Sequence, residues 1–393
     1  MKKICIITNG TLPLPAVQGG ASEVLAQIII DHNEVYHDYI FEVFTIYEPK
    51  AFEKGRNYKY AKFHFIKSQN FFYLSTKYLR YVINKIIPNF TANKYVHSVL
   101  KYKDTLEKCD LVIVENNPLA IKHLSKRIQS KIVLHLHNDY INTTLGVFVQ
   151  KSILKCDLVL CVSDYIKNEI DKKTNYTVPT ATVHNGIDIQ RFSSKINLSR
   201  ITELKQKYGI LENDAVIVYS GRIQKSKGIY VLIDVFNELC KEIKDIKLLI
   251  AGGTKYGNST ELKKTSLNKN IIFTGFIEYD KMHEIYSIGS FAVLPSLSPE
   301  AFALTVLEAQ AAGLPVIITD VGGMTETASS ESAIVLKSDD NLKCNLKNSI
   351  KFLLENPSIR DKMAKAAYQN AQKFSQERYN KAFISTISNC IDQ

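Results

Sequence analysis

Two glutamates, Glu300 and Glu308, lie eight positions apart on either side of a predicted strand-loop-helix junction. The apolar segment 291–294 predicts a short buried strand, and 304–312 contains strong helix formers that end before a Gly and a Pro. Glu300 is therefore expected in the loop and Glu308 inside the helix. The N-terminus of such a helix can bind phosphate, and carboxylates beside it can accept from sugar hydroxyls. The alternative is a helix with one carboxylate favoured by its dipole and a second on a solvated face.

Basic residues follow an earlier strand of the same half of the chain. Residues 219–223 end that strand, and Lys227 stands directly before a helix predicted over 229–239. An Arg and a Lys at such a junction can neutralise a diphosphate, Arg222 through its bidentate fork and Lys227 as a point charge. Lys225 is also nearby, so the choice of Lys227 depends on the Gly that follows it.

The stretch from 293 to 316 resembles the retaining, nucleotide-sugar-dependent glycosyltransferases of family 4. Their motif is Glu, seven residues, Glu, then a helix of small residues and a Gly-Leu-Pro-Val turn, which 313–316 matches closely. Ala301 and Ala303 stand where the family usually has glycine, and alanine does not easily adopt a positive φ. The resemblance implies an α/β GT-B fold. In that fold, two Rossmann-like parallel-sheet domains face a central cleft, and a C-terminal helix crosses back to the first domain.

The resemblance also implies roles for particular residues. The catalytic candidates are Glu300 and His137. The donor diphosphate is assigned to Arg222, Lys227, Gly19, Gly20, Ala303, Leu304 and Thr305. The nucleoside is assigned to Glu308, Gly252, Phe276 and Ile277. Candidates for contact with the sugar or the acceptor are Glu23, His135, Asp139, Ser163 and Glu326.

His135 and His137 are two positions apart and so share one face of a predicted strand. Metal binding is one interpretation, but no third ligand stands at a suitable spacing. The favoured interpretation has His137 bonding the sugar or a reaction-centre oxygen, with His135 in a supporting position and Asp139 orienting the imidazole or meeting the acceptor. No D-x-D pair occurs to hold a divalent ion. Neither a metal nor a cofactor is therefore expected, and Arg222, Lys227 and helix dipoles would replace the ion.

Strand and helix patterns alternate along the chain, which predicts parallel sheets built from βαβ units. Predicted strands span 3–8, 40–45, 111–114, 132–136, 158–162, 215–220, 247–251, 271–274, 291–294 and 316–319. The polar region 188–213 interrupts the alternation and predicts a linker. We therefore expect an acceptor domain over 1–195 that includes a crossing helix at 372–393, and a nucleotide-sugar donor domain over 196–371.

The composition is that of a globular protein, with 45% hydrophobic and 23% charged residues and a net charge of +11. No apolar run is as long as a membrane span, and the first apolar segment is too short for a signal peptide. A cytoplasmic location is expected. The seven cysteines include no C-x-x-C pair, and Cys5, Cys156 and Cys161 lie in strand-like apolar surroundings. Buried, reduced thiols are the expectation.

The segment 54–103 contains eleven basic residues, no Asp or Glu, and many Tyr and Phe. The signatures of nucleic-acid-binding domains are absent from the sequence, so a nucleic-acid partner is not expected. Anionic lipid fits better, because Lys and Arg attract its headgroups and aromatic rings settle at the interface. A peripheral position on the inner face of a membrane would follow. The alternative is a soluble domain whose aromatic residues form its core.

These observations together predict a retaining glycosyltransferase that takes its sugar from a UDP- or GDP-sugar. The acceptor is expected to be a glycan or a lipid-linked glycan, in the assembly of a surface polysaccharide or glycolipid. Two other functions stay open: a nucleotide-sugar 2-epimerase of similar fold, and a non-catalytic structural protein related to glycosyltransferases. An epimerase would need an acid and a base on the sugar ring, which the sequence does not identify.

Overall fold

The structure, a computed structural model, describes residues 1–67, 94–253 and 268–393. Within these residues the chain forms two compact units. The first unit comprises Met1–Asn185 and Tyr379–Gln393, and the second comprises Gly186–Arg378. Each unit has its own parallel sheet, as the alternating pattern predicted.

The first unit is built on seven described strands in the order β3-β2-β1-β4-β5-β6-β7, and every neighbouring pair is parallel. The strands are β1 Lys2–Ile7, β2 Tyr39–Ile46, β3 Ala61–Ile66, β4 Leu111–Glu115, β5 Lys131–Leu136, β6 Leu158–Cys161 and β7 Thr180–Thr182. The helices are α1 Ala21–Tyr36, α2 Pro49–Gly55, α3 Lys94–Val99, α4 Lys103–Glu107, α5 Pro118–Leu124, α6 Gly146–Ile153 and α7 Asp164–Thr174, with a 3-10 turn at Leu100–Tyr102.

The second unit has six described strands in the order β10-β9-β8-β11-β12-β13, again all parallel. The strands are β8 Ala215–Ser220, β9 Ile246–Ala251, β10 Ile271–Gly275, β11 Phe291–Leu294, β12 Val316–Thr319 and β13 Ala333–Leu336. The helices are α8 Ile189–Ser193, α9 Leu198–Lys207, α10 Ile229–Leu239, α11 Met282–Ser287, α12 Leu304–Ala311, α13 Leu342–Glu355 and α14 Pro357–Ala371. Short 3-10 turns span Lys225–Lys227, Tyr279–Lys281, Thr325–Thr327 and Gln372–Phe374.

The final helix, α15 Gln376–Asp392, leaves the second unit and joins the first. Tyr379, Phe383 and Ile387 recur on one helix face and are buried in the first unit's core. The predicted return of the chain is therefore confirmed. The helix begins at Gln376 rather than at 372, and Phe374 packs on the core of the second unit.

The predicted linker over 188–213 is wrong, and with it the boundary at residue 195. That region forms α8 and α9, whose Ile189, Phe192 and Leu204 are buried in the second unit's core. The division falls between Asn185 and Gly186 instead. The polar residues of these two short helices lie on their outer faces. The amphipathic pattern was therefore mistaken for the polar composition of a linker.

Three strands escaped prediction: β3, β7 and β13. All three lie at the outer edge of a sheet. β3 carries Lys62 and His64, β7 has only three residues, and β13 is partly exposed at its two central positions. The inner strands were found because parallel strands buried on both faces are almost continuously apolar. All five residues of β4, for example, are buried.

Each sheet reverses its strand order beside its first strand. In the first unit β1 lies between β2 and β4, and in the second β8 lies between β9 and β11. Ligands of such sheets bind at the carboxyl ends of the strands at this point. Among the described residues, none of the helices has the length and apolar character that crossing a bilayer would need.

Candidate active site

The loop after β8 is held close to the loop after β11. Gly228, which follows the 3-10 turn Lys225–Lys227, has φ +69°, and a Cβ there would lie 1.8 Å from the carbonyl oxygen of Pro295. Only glycine permits this approach. The Leu297 N–H donates to the carbonyl oxygen of Ser226 at 2.8 Å. Lys227 is thereby brought beside the loop that carries Glu300.

Glu300 is fixed from the other side by residues at the end of β12 and just after it. Thr319 Oγ1 donates to the carbonyl oxygen of Ser296 at 2.6 Å, and the N–H of Gly323 donates to the carbonyl oxygen of Glu300 at 2.7 Å. Glu300 lies in the loop, as predicted. Two neighbouring segments, one after β8 and one at the end of β12, thus hold this loop before any ligand binds, which is the preorganisation that a binding site requires.

Lys227 and Glu300 form an ion pair, although the family resemblance implies separate roles for them. Their Nζ and Oε1 atoms are 2.5 Å apart, and the hydroxyl of Ser296 donates to the same Oε1. The two side chains are 22% and 18% exposed, so the pair is partly shielded from water. An anion that binds Lys227 has to share it with, or take it from, the Glu300 carboxylate.

The helix α12 begins beside this pair. Its N-cap residue, Ala303, has φ −95° and offers no side-chain hydrogen bond to the first turn. The N–H groups of the first turn, which includes Leu304 and Thr305, therefore lack a side-chain cap. Neither Ala301 nor Ala303 has a positive φ. Alanine in place of the family's glycine therefore causes no backbone strain here.

Glu308 lies inside α12, as predicted, and is buried, with 7% of the residue exposed. The solvated-face alternative is therefore wrong. Its Oε2 accepts from the hydroxyl of Tyr286 at 3.2 Å, and that hydroxyl lies 2.7 Å from Ser220 Oγ. Burial raises the pKa of Glu308, and the Tyr286 hydrogen bond offsets only part of the rise, leaving it at about 7.

The remaining residues assigned to the donor lie at other strand ends of the second unit. Arg222 is exposed after β8, and its carbonyl oxygen accepts from the hydroxyl of Tyr219 at 2.9 Å. Gly252 follows β9, where a Cβ would lie 1.9 Å from a carbonyl oxygen of the loop after β8. Phe276 follows β10 and is 62% exposed. Glu326 lies in the 3-10 turn Thr325–Thr327.

Phe276 and Ile277 also line a pocket of about 430 Å³ together with residues of α9 and α11. Ile277 packs against the core while Phe276 projects outward. Arg200 and Glu284, which both line this pocket, form a bidentate ion pair. Arg200 Nη2 donates to Glu284 Oε2 at 2.8 Å, and Arg200 Nε donates to Glu284 Oε1 at 3.2 Å. An exposed ring beside a pocket of this size can stack on a planar base.

In the first unit, the register of β4 and β5 places Glu115 directly opposite His135. The Oε2 atom of Glu115 lies 3.1 Å from His135 Nδ1 and 3.0 Å from His137 Nε2. All three side chains are almost wholly buried. Burial by itself raises the pKa of Glu115, but the two imidazoles outweigh it and lower that pKa to about 2. Burial and the neighbouring His135 lower the pKa of His137 to about 4.

The sequence argument that the histidine pair lacks a third ligand is wrong, because Glu115 stands between them. The donor atoms of the three residues lie within 4.8 Å of one another, a spacing that a metal ion could also use. The distances are equally those of two imidazole N–H groups donating to one carboxylate. The backbone supports the cluster through Asn116, which has φ +50° and accepts from the His137 N–H at 3.1 Å.

Asp139 does not orient the imidazole. Its carboxylate accepts from the backbone and side-chain N–H groups of Asn142, at 3.2 and 2.9 Å, and from the hydroxyl of Tyr165 at 2.9 Å. Glu115 has the orienting position instead. Ser163 is fully buried and caps α7 by accepting from the Ile166 N–H at 3.2 Å. Helix capping is a sufficient reason for a serine there.

The glycine loop after β1 leads directly into α1. Gly19 and Gly20 have φ of +76° and +98°, and α1 begins at the next residue. Glu23 is buried, and its carboxylate accepts from the Ser22 hydroxyl at 2.9 Å. Burial raises the pKa of Glu23. The loop therefore has the backbone freedom that the sequence suggested, with a buried carboxylate behind it.

Two residues of these sites were missed by sequence reasoning, Glu115 and Tyr286. Glu115 had a usable signal, since it ends the otherwise apolar run Leu-Val-Ile-Val. A carboxylate at the carboxyl end of a buried parallel strand has to find a partner. Tyr286 had none, because an aromatic residue in a short helix is usually part of a core.

Comparison with known proteins finds a family model that matches part of this chain. Residues 200–370 match the family model of glycosyl transferases group 1. The chain is 26% identical over 386 residues to YtcC of Bacillus subtilis, provisionally named a glycosyltransferase, with 94% of this chain and 88% of that protein covered. It is 25% identical over 244 residues to the lipopolysaccharide 1,2-N-acetylglucosaminetransferase of Salmonella typhimurium, covering 59% and 61% of the two chains.

Among solved structures, the fold matches HepE of Anabaena in complex with UDP. The TM-score is 0.75 at 20% identity, over 99% of this chain and all of that one. At this level of identity the match supports a shared fold and nothing further. The predicted α/β fold with two Rossmann-like parallel-sheet domains is thereby confirmed.

Proposed function

Because residues 200–370 match the family model of glycosyl transferases group 1, we propose that this protein is a retaining glycosyltransferase that uses a nucleoside diphosphate sugar. The acceptor is a hydroxyl of a glycan or of a lipid-linked glycan. The observation that carries the proposal is the Lys227–Glu300 pair, 2.5 Å apart beside the uncapped start of α12, with Glu308 buried on the same helix.

The donor changes the partner of Lys227. Its diphosphate takes the ammonium from the Glu300 carboxylate, and Glu300 is then free to accept from the donor sugar hydroxyls. Arg222 adds a second, bidentate contact to the same diphosphate. Charge grows on the leaving diphosphate in the transition state, where fixed cations and helix N–H groups stabilise it. This set of donors makes a divalent ion unnecessary.

Retention is served by attack on the same face from which the diphosphate leaves. The bond between the anomeric carbon and the phosphate oxygen breaks, the bond to the acceptor oxygen forms, and the acceptor proton passes to the departing phosphate. His137 hydrogen-bonds the sugar or an oxygen of the reaction centre in this scheme, held by Glu115 at 3.0 Å. Glu308 accepts from the ribose hydroxyls.

UDP is the favoured nucleotide. HepE, which shares the fold, was solved with UDP and with UDP-glucose. One relative is named for transferring N-acetylglucosamine to lipopolysaccharide, which supports a polysaccharide or glycolipid acceptor. GDP stays the alternative.

The basic, aromatic segment 54–103 docks the protein on anionic lipid and so meets a lipid-linked acceptor. Residues 68–93 of it lie outside the described residues. In the described part, five basic residues around α2 and β3 are exposed: Lys54, Arg56, Lys59, Lys62 and Lys67. Tyr95, by contrast, is buried and donates to a backbone oxygen of β2, as the alternative of core aromatics requires. Flotation with neutral and anionic liposomes at low and high salt tests the docking, since screening should release it.

Calorimetric titration with UDP and GDP, followed by transfer and hydrolysis assays with the matching sugars, tests the proposed function. Glu308→Ala should mainly raise the donor KM, because ribose contacts exist before and during reaction, whereas Glu300→Ala should mainly lower kcat. An epimerase would convert the donor sugar without an acceptor. A protein that binds neither nucleotide would contradict the proposal.

A further inference from the structure

The buried carboxylate of Glu308 is one end of a hydrogen-bonded series of three side chains, which come from three separate elements. Ser220 ends β8, Tyr286 lies in α11, and Glu308 lies in α12. The oxygens are 2.7 Å apart between Ser220 and Tyr286, and 3.2 Å apart between Tyr286 and Glu308 Oε2. Tyr286 is fully buried and Ser220 is 4% exposed. This hydrogen-bonded series ends at Glu308, the one carboxylate that the proposed function assigns to the ribose.

The hydrogen-bonded series gives the Glu308 carboxyl group a partner in either charge state. When Glu308 is ionised, Ser220 donates to Tyr286 and Tyr286 donates to the carboxylate. When Glu308 is protonated, its O–H can donate to Tyr286, whose own proton turns toward Ser220. Each hydroxyl is both a donor and an acceptor, so the reversal leaves no buried group without a partner. A cation in place of Tyr286 would permit the ionised state only.

The other groups around Glu308 do not fix its charge. Tyr279, in the turn before α11, is the further titratable group that feels the Glu308 charge. Arg191 lies 5.2 Å over the Tyr279 ring and pairs with Asp188 at 3.5 Å, so its charge is already balanced. Among the described residues, no basic side chain contributes to the pKa of Glu308. The carboxylate is therefore poised between its two states near neutral pH.

We propose that Tyr286 is a positioning residue for Glu308, and that the nucleoside of the donor binds the ionised carboxylate with release of one proton to solvent. This inference rests on the proposed function. The O–H bond of protonated Glu308 breaks, a buffer base takes the proton, and the freed carboxylate accepts from the two ribose hydroxyls, which keep their own protons. Oε2 stays on Tyr286, and Oε1, which has no hydrogen-bond partner among the described residues, faces the ribose.

A first experiment needs no ligand. Infrared difference spectra of the wild type against Glu308→Gln should show a protonated carboxyl band that titrates near pH 7. In Tyr286→Phe that midpoint should move to higher pH, because the hydrogen bond that favours the ionised form is gone. A band that is absent at pH 6, or a midpoint that Tyr286→Phe leaves unchanged, would overturn the inference.

The second experiment measures the proton directly. UDP is titrated calorimetrically in buffers of different ionisation enthalpy, and the result for Glu308→Gln is subtracted to remove the titration of the UDP phosphate itself. We expect about half a proton released at pH 7, nearly one at pH 6, and almost none above pH 8. UDP-glucose, which has no terminal phosphate group to titrate, repeats the measurement independently.

Tyr286→Phe should weaken UDP binding roughly fivefold and raise the donor KM with little change in kcat. Tyr368→Phe, the same change at an exposed tyrosine of the same unit, is the matched control and should alter neither. If UDP binds but proton release is equal in the wild type and in Glu308→Gln, the inference is overturned. The proposed function is then still supported by the nucleotide binding. No binding of UDP or UDP-glucose, with an intact infrared titration, would contradict the function and leave the charge state of Glu308 established.

Discussion

The two units each bury a glutamate at the point where the sheet reverses its strand order, and they shift the pKa of that glutamate in opposite directions. Glu115 in the first unit accepts from two imidazoles, and its pKa falls to about 2. Glu308 in the second unit accepts from one phenol, and its pKa rises to about 7. Both are wholly surrounded by protein, so burial does not explain the difference. The partners do, since two imidazoles stabilise an anion far better than one tyrosine.

The comparison separates a structural carboxylate from a carboxylate that is available to a ligand. The Glu115 side chain accepts hydrogen bonds from His135 and His137 and holds both imidazoles in place. Glu308 has one oxygen on Tyr286 and one without a partner among the described residues. A permanently charged group positions its neighbours, whereas a poised one responds to what binds.

The largest expected effect is on the stability of the first unit. Glu115→Ala leaves two buried imidazole N–H groups without an acceptor and should lower its free energy of unfolding by about 3 to 5 kcal/mol. Glu308→Gln should instead stabilise the second unit at pH 7, by up to about 3 kcal/mol, because a neutral amide removes the cost of ionising a buried carboxyl whose pKa is raised to about 7. Urea denaturation followed by pulsed hydrogen exchange reads each unit separately.

Glu42→Ala is the matched control for Glu115→Ala. Glu42 lies on β2 and bonds a single imidazole, that of His64, at 2.5 Å. Its loss leaves one donor unpaired and should cost clearly less than the loss of Glu115. Equal costs for the two variants would show that the double contact to Glu115 adds nothing.

The next effect is a pH dependence of opposite sign in the two units. The pKa of His137 is lowered to about 4, so the unfolded first unit binds more protons between pH 4 and 6.5 and its stability rises with pH. The pKa of Glu308 is raised to about 7, so the folded second unit binds more protons between pH 4.5 and 7 and its stability falls as pH rises. In each case the change from the ordinary pKa corresponds to about 3 kcal/mol of unfolding free energy across that pH range.

The same exchange measurement from pH 4.5 to 6.5 checks this contrast. Glu308→Gln should remove the slope of the second unit only, and His137→Asn should reduce the slope of the first only. Parallel slopes in the two units would mean that Glu115 and Glu308 do not differ in the way their partners indicate.

A smaller effect concerns the cations at the donor site. Lys227→Ala and Arg222→Ala should each weaken UDP binding by about 1.5 to 3 kcal/mol, because each removes a charge-assisted contact. Lys225→Ala, a change at an exposed lysine of the same turn, is the control and should have little effect. Calorimetry with UDP decides it. Equal affinities for wild type, Lys227→Ala and Arg222→Ala would remove both residues from the site.

The smallest expected effect is that of metal removal, which should change neither UDP binding nor transfer. Treatment with EDTA and metal analysis of the purified protein check this. Loss that zinc restores would instead identify Glu115, His135 and His137 as a metal centre. Loss that magnesium or manganese restores would point to the donor diphosphate. Nitrogen NMR separates the cases, since His135 Nδ1 and His137 Nε2 carry protons in a hydrogen-bonded cluster but not when bound to metal.

Much of the fold was predictable from local pattern. The bounds of β11, β12 and α10 agree with the sequence prediction, because each is an uninterrupted apolar or amphipathic run between turn residues. The amphipathic helices α8 and α9 were mistaken for a linker, since each is short and mostly polar. The positions of Glu300 in a loop and Glu308 in a helix were likewise readable in advance.

The sequence by itself determined which residues could do chemistry and on which elements they stand. Only the tertiary structure decided their partners: Lys227 pairs with Glu300 from 73 positions away, Tyr286 reaches Glu308 from 22, and Glu115 meets His135 through strand register from 20. Periodicity is a local property and is written in neighbouring residues. Partner identity depends on how distant elements pack, and it sets the charge of a buried group, because desolvation and hydrogen bonding act through space.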